Sequence, residues 1–254
     1  MKTKRKRGEN MIKAYAKSDI GKVRDINQDY YYISNSLDEV QLYMLADGMG
    51  GYKGGEIASK LAIQSAKSYI ENNFKEIPKD KESIIQLVGS SMEYANMVVY
   101  EKSKEDSELE GMGTTLEVCL IYNNRAFIGH VGDSRIYRIR KDFMRKLTQD
   151  HSYVQKLVKD GTITQEQAAH HPQKNMLMKA LGCNAFVEPD VMVKGFLKDD
   201  IFIINSDGLT NLVSQEEICQ WAKKDIEQAP KELVKIANDN GGYDNITVIV
   251  IKNI

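Results

Sequence analysis

Aspartates stand at the ends of several apolar segments, and they are the residues of this sequence best suited to chemistry. Residues 42–46 form a compact apolar run that leads directly into an Asp-Gly pair at Asp47. Three other apolar runs adjoin Asp133, Asp207 and Asp244 in the same way. A single Asp-Gly pair favours an ordinary turn. Repetition of the arrangement predicts carboxylates gathered at one edge of a sheet, where they would repel one another unless cations neutralised them.

The ligand types in these motifs indicate hard metal ions. Asp29 stands before a fifth apolar run, so the candidate ligands are all oxygen atoms and come from distant parts of the chain. Oxygen ligands without paired Cys or His select magnesium, manganese or calcium rather than zinc, and the closely spaced acids of an EF-hand calcium loop are absent. More than one such ion would suit hydrolysis of phosphate esters. The ions neutralise phosphoryl oxygens and lower the pKa of a bound water from about 15.7 towards about 7–9.

A cluster of glycines follows Asp47 and would let backbone carbonyls or amides come close to an ion or an anion. The glycines are Gly48, Gly50, Gly51, Gly54 and Gly55. No Gly-Lys-Ser or Gly-Lys-Thr follows them, which excludes a nucleotide-binding P-loop. A flexible turn before a helix is the alternative interpretation.

Arg24 is a candidate for holding a phosphate group, and it lies five residues before Asp29. A guanidinium can donate hydrogen bonds to two phosphate oxygens at once. A single arginine is more often a solvated surface residue, so this interpretation depends on the motifs around it.

The hydrophobic patterns around these residues predict a layered domain. Apolar residues recur at three- and four-residue spacing over residues 56–74 and 83–104, which predicts two successive amphipathic helices. Shorter apolar runs predict strands, with Asn123-Asn124 as the hairpin turn between two of them. The strands are residues 13–17, 30–33, 42–46, 115–122, 126–131, 136–139, 191–193, 201–205 and 246–252, and the later helices are residues 215–222 and 231–238. This order suits an α/β sandwich of mainly antiparallel sheets rather than a regular βαβ array.

The bulk composition predicts one folded domain. The chain has 254 residues with 42% hydrophobic content and no repeat or linker, which is enough for one large core. We assign residues 12–254 to this domain and residues 1–11 to a disordered, basic N-terminus. Lys and Arg number 35 against 36 Asp and Glu, so the net charge of −1 indicates neither nucleic acid nor a membrane surface as a partner.

Cysteine usage and hydropathy predict a reduced, cytoplasmic protein. Cys119, Cys183 and Cys219 are widely spaced and form no C-x-x-C pair, so neither a disulfide framework nor a zinc site is expected. No apolar run approaches the ~18–20 residues of a membrane span, and no signal peptide follows the basic start.

Six short motifs occur in the order seen in the protein phosphatase 2C family, and over residues 12–252 the sequence resembles its bacterial members. The motifs are Arg24-Asp25-Ile26-Asn27-Gln28-Asp29, Asp47-Gly48-Met49-Gly50-Gly51, Gly113-Thr114-Thr115, Gly132-Asp133-Ser134-Arg135, Ser206-Asp207-Gly208-Leu209 and Asp244-Asn245. The resemblance implies an α+β fold, namely a four-layer α-β-β-α sandwich with two central, mainly antiparallel β-sheets flanked by helix pairs. It also implies hydrolysis of phosphoserine and phosphothreonine on proteins by a water that Mn²⁺ or Mg²⁺ activates, without a covalent intermediate.

The resemblance further implies a set of metal ligands. Asp47 would bridge two tightly bound ions, and the carbonyl of Gly48 would bind one of them. Asp207 and Asp244 would hold the other ion. Asp133, helped by Asp207, corresponds to the ligand of a third and weaker ion.

The same resemblance implies catalytic roles for Arg24 and Asp29. Arg24 would bind the substrate phosphate, and Asp29 would bind an ion or hold its water. Two departures from the family pattern bear on these roles. Gln28 replaces an acidic residue before Asp29, and Met49 replaces the histidine proposed as general acid in animal relatives. His151 is a less favoured alternative for that proton transfer.

The resemblance also implies partners for the protein. Residues 148–182 correspond to the flap, a mobile element beside the active site that influences substrate choice. The expected partners are phosphorylated proteins, including a serine/threonine kinase, with no nucleic acid and with a monomeric chain. The alternatives are a catalytically inactive binding module, which would lack metal aspartates, and a hydrolase of small phosphoesters or nucleic acid.

Overall fold

The computed structural model describes residues 11–35, 40–105 and 107–254, with residues 51–53 described without their side chains. The predicted disordered N-terminus, except Met11, therefore lies outside the described residues. The strands are β1 (Ile12–Asp19), β2 (Asp29–Ile33), β3 (Gln41–Met49), β4 (Gly113–Thr114), β5 (Leu116–Tyr122), β6 (Arg125–Val131), β7 (Arg135–Arg140), β8 (Phe143–Lys146), β9 (Asp190–Gly195), β10 (Ile201–Asn205) and β11 (Ile246–Asn253). The helices are α1 (Gly51–Asn73), α2 (Lys81–Glu105), α3 (Tyr153–Lys159), α4 (Gln165–Ala169), α5 (Asp207–Thr210), α6 (Gln215–Lys224) and α7 (Ala229–Asp239).

The strands form two sheets in which neighbouring strands are antiparallel. The first sheet has the order β1-β11-β10-β7-β8, and the second has the order β2-β3-β5-β6-β9 with β4 paired to β3. Strands β5 and β6 are joined through Asn123 and Asn124, whose φ angles are 47° and 57°. These angles belong to the left-handed region that a two-residue hairpin turn requires. The predicted hairpin is confirmed.

Three apolar clusters separate four layers. Tyr43, Ile128, Phe202 and Ile249 are among the side chains packed between the two sheets. Helices α1 and α2 cover the outer face of the second sheet, and α6 and α7 cover the outer face of the first. The predicted four-layer α-β-β-α sandwich is confirmed.

Strand β3 illustrates how the sequence specifies this layering. Leu42 and Met44 face the helix pair α1 and α2, whereas Tyr43 and Leu45 face the other sheet. Because both faces of the strand are buried, its sequence is continuously apolar instead of alternating. Each buried side chain of this kind contributes roughly 1.5–3 kcal/mol, so β3 is a rigid support for Asp47 near its end.

The predicted long helices are present with somewhat different bounds. Helix α1 begins at Gly51, whereas the predicted start is residue 56. The sequence pattern misses the first turn because this turn contains glycines, which are weak helix formers. Helix α6 begins after Ser214, which exchanges hydrogen bonds with Glu217 in a capping box.

The sequence patterns do not predict β8 or α5, since β8 has only two apolar residues and α5 is a single turn. Residues 148–182 contain the short helices α3 and α4, and their contacts with the rest of the domain include an isolated bridge between Thr114 and Leu181. Cys119, Cys183 and Cys219 are free thiols. Within the described ranges, no helix is both long enough and apolar enough to cross a membrane.

Candidate active site

Four of the aspartates predicted from strand ends, Asp47, Asp133, Asp207 and Asp244, line one cleft at the end of the two sheets, with a volume of about 710 Å³. Asp29 is buried and, within the described residues, is not part of that lining. Asp47 lies near the end of β3 and Asp133 in the turn between β6 and β7. Asp207 is the first residue of α5, directly after β10, and Asp244 precedes β11. Asp29 begins β2 and pairs directly with Asp47 across the two strands. We call Asp29, Asp47, Asp133, Asp207 and Asp244 the aspartate cluster.

Two glycines allow the segments that carry these aspartates to approach one another. A Cβ atom on Gly48 would lie 2.0 Å from the carbonyl oxygen of Gly55, and one on Gly208 would lie 2.1 Å from that of Asn245. Neither position can therefore hold a larger residue without displacing backbone. The close approach at Gly208 brings the segments of Asp207 and Asp244 together.

Asn245 anchors the loop that carries Arg24. Its Oδ1 accepts a hydrogen bond from the Gln28 N–H at 2.8 Å, and its Nδ2 donates to the carbonyls of Ile20 and Ile26, each at 3.0 Å. One buried amide thus fixes the loop before β2 against the start of β11.

Ser206 plays a similar part for Asp29. Its Oγ donates to Asp29 Oδ2 at 2.7 Å and accepts from the Thr247 N–H at 3.0 Å. The sequence motifs include Asn245 and Ser206 but assign them no role. The available signal is that each adjoins a predicted metal ligand, Asp244 and Asp207 respectively.

Thr115 connects Asp47 to the turn that carries Asp133. The Asp47 N–H donates to Thr115 Oγ1 at 2.9 Å, and the Thr115 N–H donates to the Asp47 carbonyl at 2.8 Å. Thr115 Oγ1 also shares a hydrogen bond of 2.9 Å with Ser134 Oγ. Because Thr115 and Ser134 are buried, the relative placement of Asp47 and Asp133 is fixed by the fold.

The aspartate cluster is electrostatically strained. Burial raises the pKa of Asp29 to about 7, with Asp207 and Asp244 adding to the shift. Burial and the nearby Asp207 raise the pKa of Asp133 to about 8. The pKa of Asp47 is raised well above its ordinary value by burial first and then by the other aspartates, Asp29 foremost. Cations in the cleft would relieve this repulsion.

Asp244 and Asp207 also accept hydrogen bonds from side chains. Arg24 Nη2 donates to Asp244 Oδ2 at 2.9 Å, and Asn211 Nδ2 donates to Asp207 Oδ2 at 3.0 Å. The Arg24 side chain is 53% exposed, so it can turn toward a ligand in the cleft. The sequence-based hypothesis of a phosphate clamp stays open, with Asp244 as the partner of Arg24 in this structure.

The donor set of the cleft fits hard divalent ions. Among the described residues, Asp29 Oδ1 is buried with no hydrogen-bond partner, and the remaining ligand candidates are carboxylate and carbonyl oxygens, which such ions prefer. In the part of the chain that the structure describes, no three His, Cys, Asp or Glu side chains already form a site for one ion.

The remaining predicted residues divide into those that line the cleft and those that do not. Gly48, Gln28 and Met49 line it. His151 is absent from the lining within the described ranges, and its ring nitrogens contact the Gly132 N–H and Asp190. This geometry does not favour the alternative of His151 as a proton donor to a substrate.

Comparisons with known proteins agree with this arrangement. A family model described as protein phosphatase 2C matches residues 22–242. A putative protein phosphatase 2C-type from Streptococcus pyogenes is 36% identical over 245 residues, covering 95% of this chain and 98% of the relative. The structure of the serine/threonine phosphatase Stp1 from Staphylococcus aureus has a TM-score of 0.88 at 36% identity and covers 96% of both chains. The catalytic domain of the serine/threonine protein phosphatase PstP, in complex with two manganese ions, has a TM-score of 0.85 at 32% identity, with coverage of 97% of this chain and 100% of that one.

Proposed function

Because the chain belongs to the protein phosphatase 2C family of serine/threonine phosphatases, we propose that it hydrolyses phosphoserine and phosphothreonine on proteins at a centre of two tightly bound Mn²⁺ or Mg²⁺ ions. The observation that carries this proposal is the convergence of four aspartates of the cluster on one cleft that Arg24 also lines, with Asp29 paired to Asp47. The test is release of phosphate from a phosphothreonine peptide by the purified protein in the presence of manganese.

The proposed ligands of the two ions are Asp47, the Gly48 carbonyl, Asp207 and Asp244. Asp47 would bind both ions, Gly48 one of them, and Asp207 and Asp244 the other. When bound, such ions neutralise phosphoryl oxygens and supply hydroxide at neutral pH. Support comes from the oxygen-only donor set and from the manganese complex of the related PstP domain.

Arg24 and Asp29 have distinct proposed tasks. Arg24 would leave Asp244 and hold two oxygens of the substrate phosphate, since a guanidinium is suited to such paired contacts. Asp29 is buried with Oδ2 held by Ser206, while Oδ1 has no hydrogen-bond partner in the structure. Oδ1 can therefore accept from a water or contact an ion without disturbing the Ser206 bond.

Replacing Arg24 by Ala should raise KM for a phosphothreonine peptide about 10- to 100-fold, because charged hydrogen bonds contribute about 1.5–3 kcal/mol. The change in kcat should be smaller, because Arg24 is proposed to hold the phosphate both in the bound substrate and in the transition state. Steady-state kinetics measure both constants. Arg24→Lys should recover only part of the loss because an ammonium cannot donate two parallel N–H bonds. Arg125→Ala, at an exposed arginine on β6, is the matched control, and a loss confined to kcat would contradict the role of Arg24.

Asp133 is proposed to hold a third and weaker ion together with Asp207. Asp133→Ala should therefore leave two tightly bound manganese ions by calorimetry, while turnover of the peptide falls. We propose that this site also helps to supply the proton for the leaving group. The loss should then be smaller for p-nitrophenyl phosphate, because p-nitrophenolate leaves as a stable anion whereas an alkoxide needs a proton, and general-acid assistance is typically worth about 10²–10⁴-fold. If tight binding of the two manganese ions disappears as well, Asp133 is a ligand of those ions and not of a third one.

The natural substrates are proposed to be phosphorylated proteins, including a serine/threonine kinase that this phosphatase opposes. We also propose that the chain acts as a monomer in the cytoplasm. The free thiols of Cys119, Cys183 and Cys219 support a reducing compartment. Dephosphorylation of an autophosphorylated kinase from the source cell would test the proposed substrate. Light scattering would test the monomeric state.

A further inference from the structure

A row of titratable side chains lies behind the cleft, outside the aspartate cluster. Glu117 on β5 pairs across the strands with His130 on β6, and His130 pairs in turn with Asp190 on β9. Directly paired residues on neighbouring strands point to the same face of a sheet. The register therefore places Glu117, His130 and Asp190 side by side, and His151 stacks on His130 with ring centroids 4.5 Å apart.

The first half of the row is a fully buried pair. Glu117 and His130 are both 0% exposed, and Glu117 Oε1 is hydrogen-bonded to His130 Nδ1. His130 Nε2 lies 2.8 Å from the carbonyl oxygen of Gln149. A carbonyl can only accept, so Nε2 carries a proton and the second ring nitrogen interacts with Glu117. The orientation of the His130 ring is thus fixed from both sides.

The second half of the row connects to the Asp133 turn. His151 Nδ1 accepts a hydrogen bond from the Gly132 N–H at 3.2 Å, and the His151 N–H donates to the Gly132 carbonyl at 2.7 Å. His151 Nε2 lies 3.2 Å from Asp190 Oδ2. Since Nδ1 is the acceptor, the ring proton is on Nε2 and faces Asp190. His151 therefore holds both polar backbone groups of the residue that precedes Asp133.

His151 itself lies in the flap, residues 148–182, and its backbone connects this turn to the later part of that segment. Its carbonyl accepts from the Met178 N–H at 2.8 Å, and the adjacent Ser152 forms an isolated bridge with Leu177. Leu177 lines the cleft. His151 thus contacts the proposed ligand turn directly, and its backbone and that of Ser152 contact the segment that carries Leu177.

We infer that His151 is a positioning residue, which fixes the Asp133 carboxylate through the Gly132 N–H and couples that turn to the flap. The inference rests on the proposed function, because it takes Asp133 as the ligand of the third ion. Gly132 has a φ of 116°, and a Cβ there would lie 2.5 Å from Thr115 Cγ2, so Thr115 already limits the turn on its other side. Loss of the His151 acceptor would leave the Gly132 N–H without this partner, and the backbone bond from His151 to the Gly132 carbonyl would then be the one remaining contact from His151.

Two substitutions separate this hydrogen bond from simple packing. In His151→Asn, Oδ1 stands the same number of bonds from Cβ as Nδ1 does, so it can still accept from Gly132. In His151→Gln, the side-chain amide reaches the place of Nε2 and keeps the contact with Asp190 instead. Both variants lose the ring that stacks on His130, so their losses of thermal stability should be similar. Asp190→Asn keeps the whole of His151 and is the control.

The first measurement is hydrogen exchange of the Gly132 amide in the ion-free protein. Protection should persist in the wild type, in His151→Asn and in Asp190→Asn, and it should be lost in His151→Gln. The second is the manganese concentration that gives half-maximal activity. It should rise about 10-fold or more in His151→Gln, as is usual when a group supporting a ligand is removed, and stay within about twofold in Asp190→Asn. Calorimetry should still find two tightly bound ions in each variant.

A third measurement shows whether His151 acts through Asp133. In an Asp133→Ala background, His151→Gln should have no further effect on the manganese requirement, because the group that it positions is gone. The inference would be overturned if His151→Asn and His151→Gln had the same Gly132 amide protection and the same manganese requirement. It would also be overturned if the effects of His151→Gln and Asp133→Ala on the manganese requirement were fully additive. If neither variant folds, the ¹⁵N shift of His151 in the wild type decides, and a protonated Nδ1 would overturn the inference as well. A wild type without manganese-dependent activity would instead refute the proposed function, while the amide measurements would still test the contact.

Discussion

Excess EDTA should reduce hydrolysis of a phosphothreonine peptide to the uncatalysed background, and added Mn²⁺ or Mg²⁺ should restore it. Among the described residues that line the cleft, Arg24 is the one cation, and it faces the carboxylates of Asp25, Asp47, Asp133, Asp207 and Asp244. A phosphate dianion would be repelled by this lining unless divalent ions were bound. Removal of the ions should therefore abolish both substrate binding and the supply of hydroxide. Phosphate release is measured with chelator, with chelator and excess manganese, and without either.

Asp207→Asn is the matched variant for this experiment. It keeps the shape of the side chain but removes a charge from the proposed ion site, so manganese should not restore its activity. Manganese should also raise the melting temperature of the wild type, because ions that bind only the folded state stabilise it, and the increase should be smaller in Asp207→Asn. Asp239→Asn, at an exposed position at the end of α7, should behave as the wild type. Full activity of metal-free protein in excess EDTA would refute the metal centre altogether.

The positions of the aspartates were open to prediction because their signals are local. A buried strand such as β3 is recognised by its continuous apolar run, and the Asp-Gly pair at its end marks where the chain turns. The convergence of Asp47, Asp133, Asp207 and Asp244 on one cleft agrees with the sequence-based hypothesis. Their roles as ligands stay predictions, since proximity alone does not assign them to particular ions.

The row behind the cleft could not be predicted because it depends on strand register. Hydrophobic alternation specifies which face a residue occupies, but a shift of two residues preserves the face and changes every partner. His130 lies within the predicted strand of residues 126–131, but its buried pair with Glu117 has no signal in the sequence. The pairing of His130 with Asp190 across β6 and β9 also has no signal in the sequence.

The residues that hold the site in place were missed for a different reason. Asn245 and Ser206 are polar residues beside turns, where such side chains commonly satisfy nearby backbone groups. Their partners here include Ile26 and Asp29, which are remote in sequence. Only the packing of β10 and β11 against the loop before β2 brings those partners within reach.

Glu117→Ala should lower the free energy of unfolding by about 3–5 kcal/mol, the usual cost of removing one member of a buried ion pair. Burial raises the pKa of Glu117 to about 7, and His130 partly offsets this shift by stabilising the ionised carboxylate. Without Glu117, the charged form of His130 would be buried without its hydrogen-bonded counter-charge. The melting temperature should fall by roughly 10 °C for a domain of this size. Chemical and thermal unfolding in EDTA measure both quantities without a contribution from bound ions.

Three further variants distinguish a lost charge pair from a lost volume. Glu117→Gln keeps the shape and a hydrogen bond to His130, so its destabilisation should be clearly smaller than that of Glu117→Ala. The double variant Glu117→Leu with His130→Leu should be more stable than the sum of its single changes predicts, because both buried polar groups are removed together. Glu101→Ala, at an exposed position on α2, should stay within about 0.5 kcal/mol of the wild type. If Glu117→Ala is no more destabilising than Glu101→Ala, His130 is neutral in the folded protein and needs no counter-charge. The row would then orient His151 through ring stacking and the Gln149 carbonyl alone.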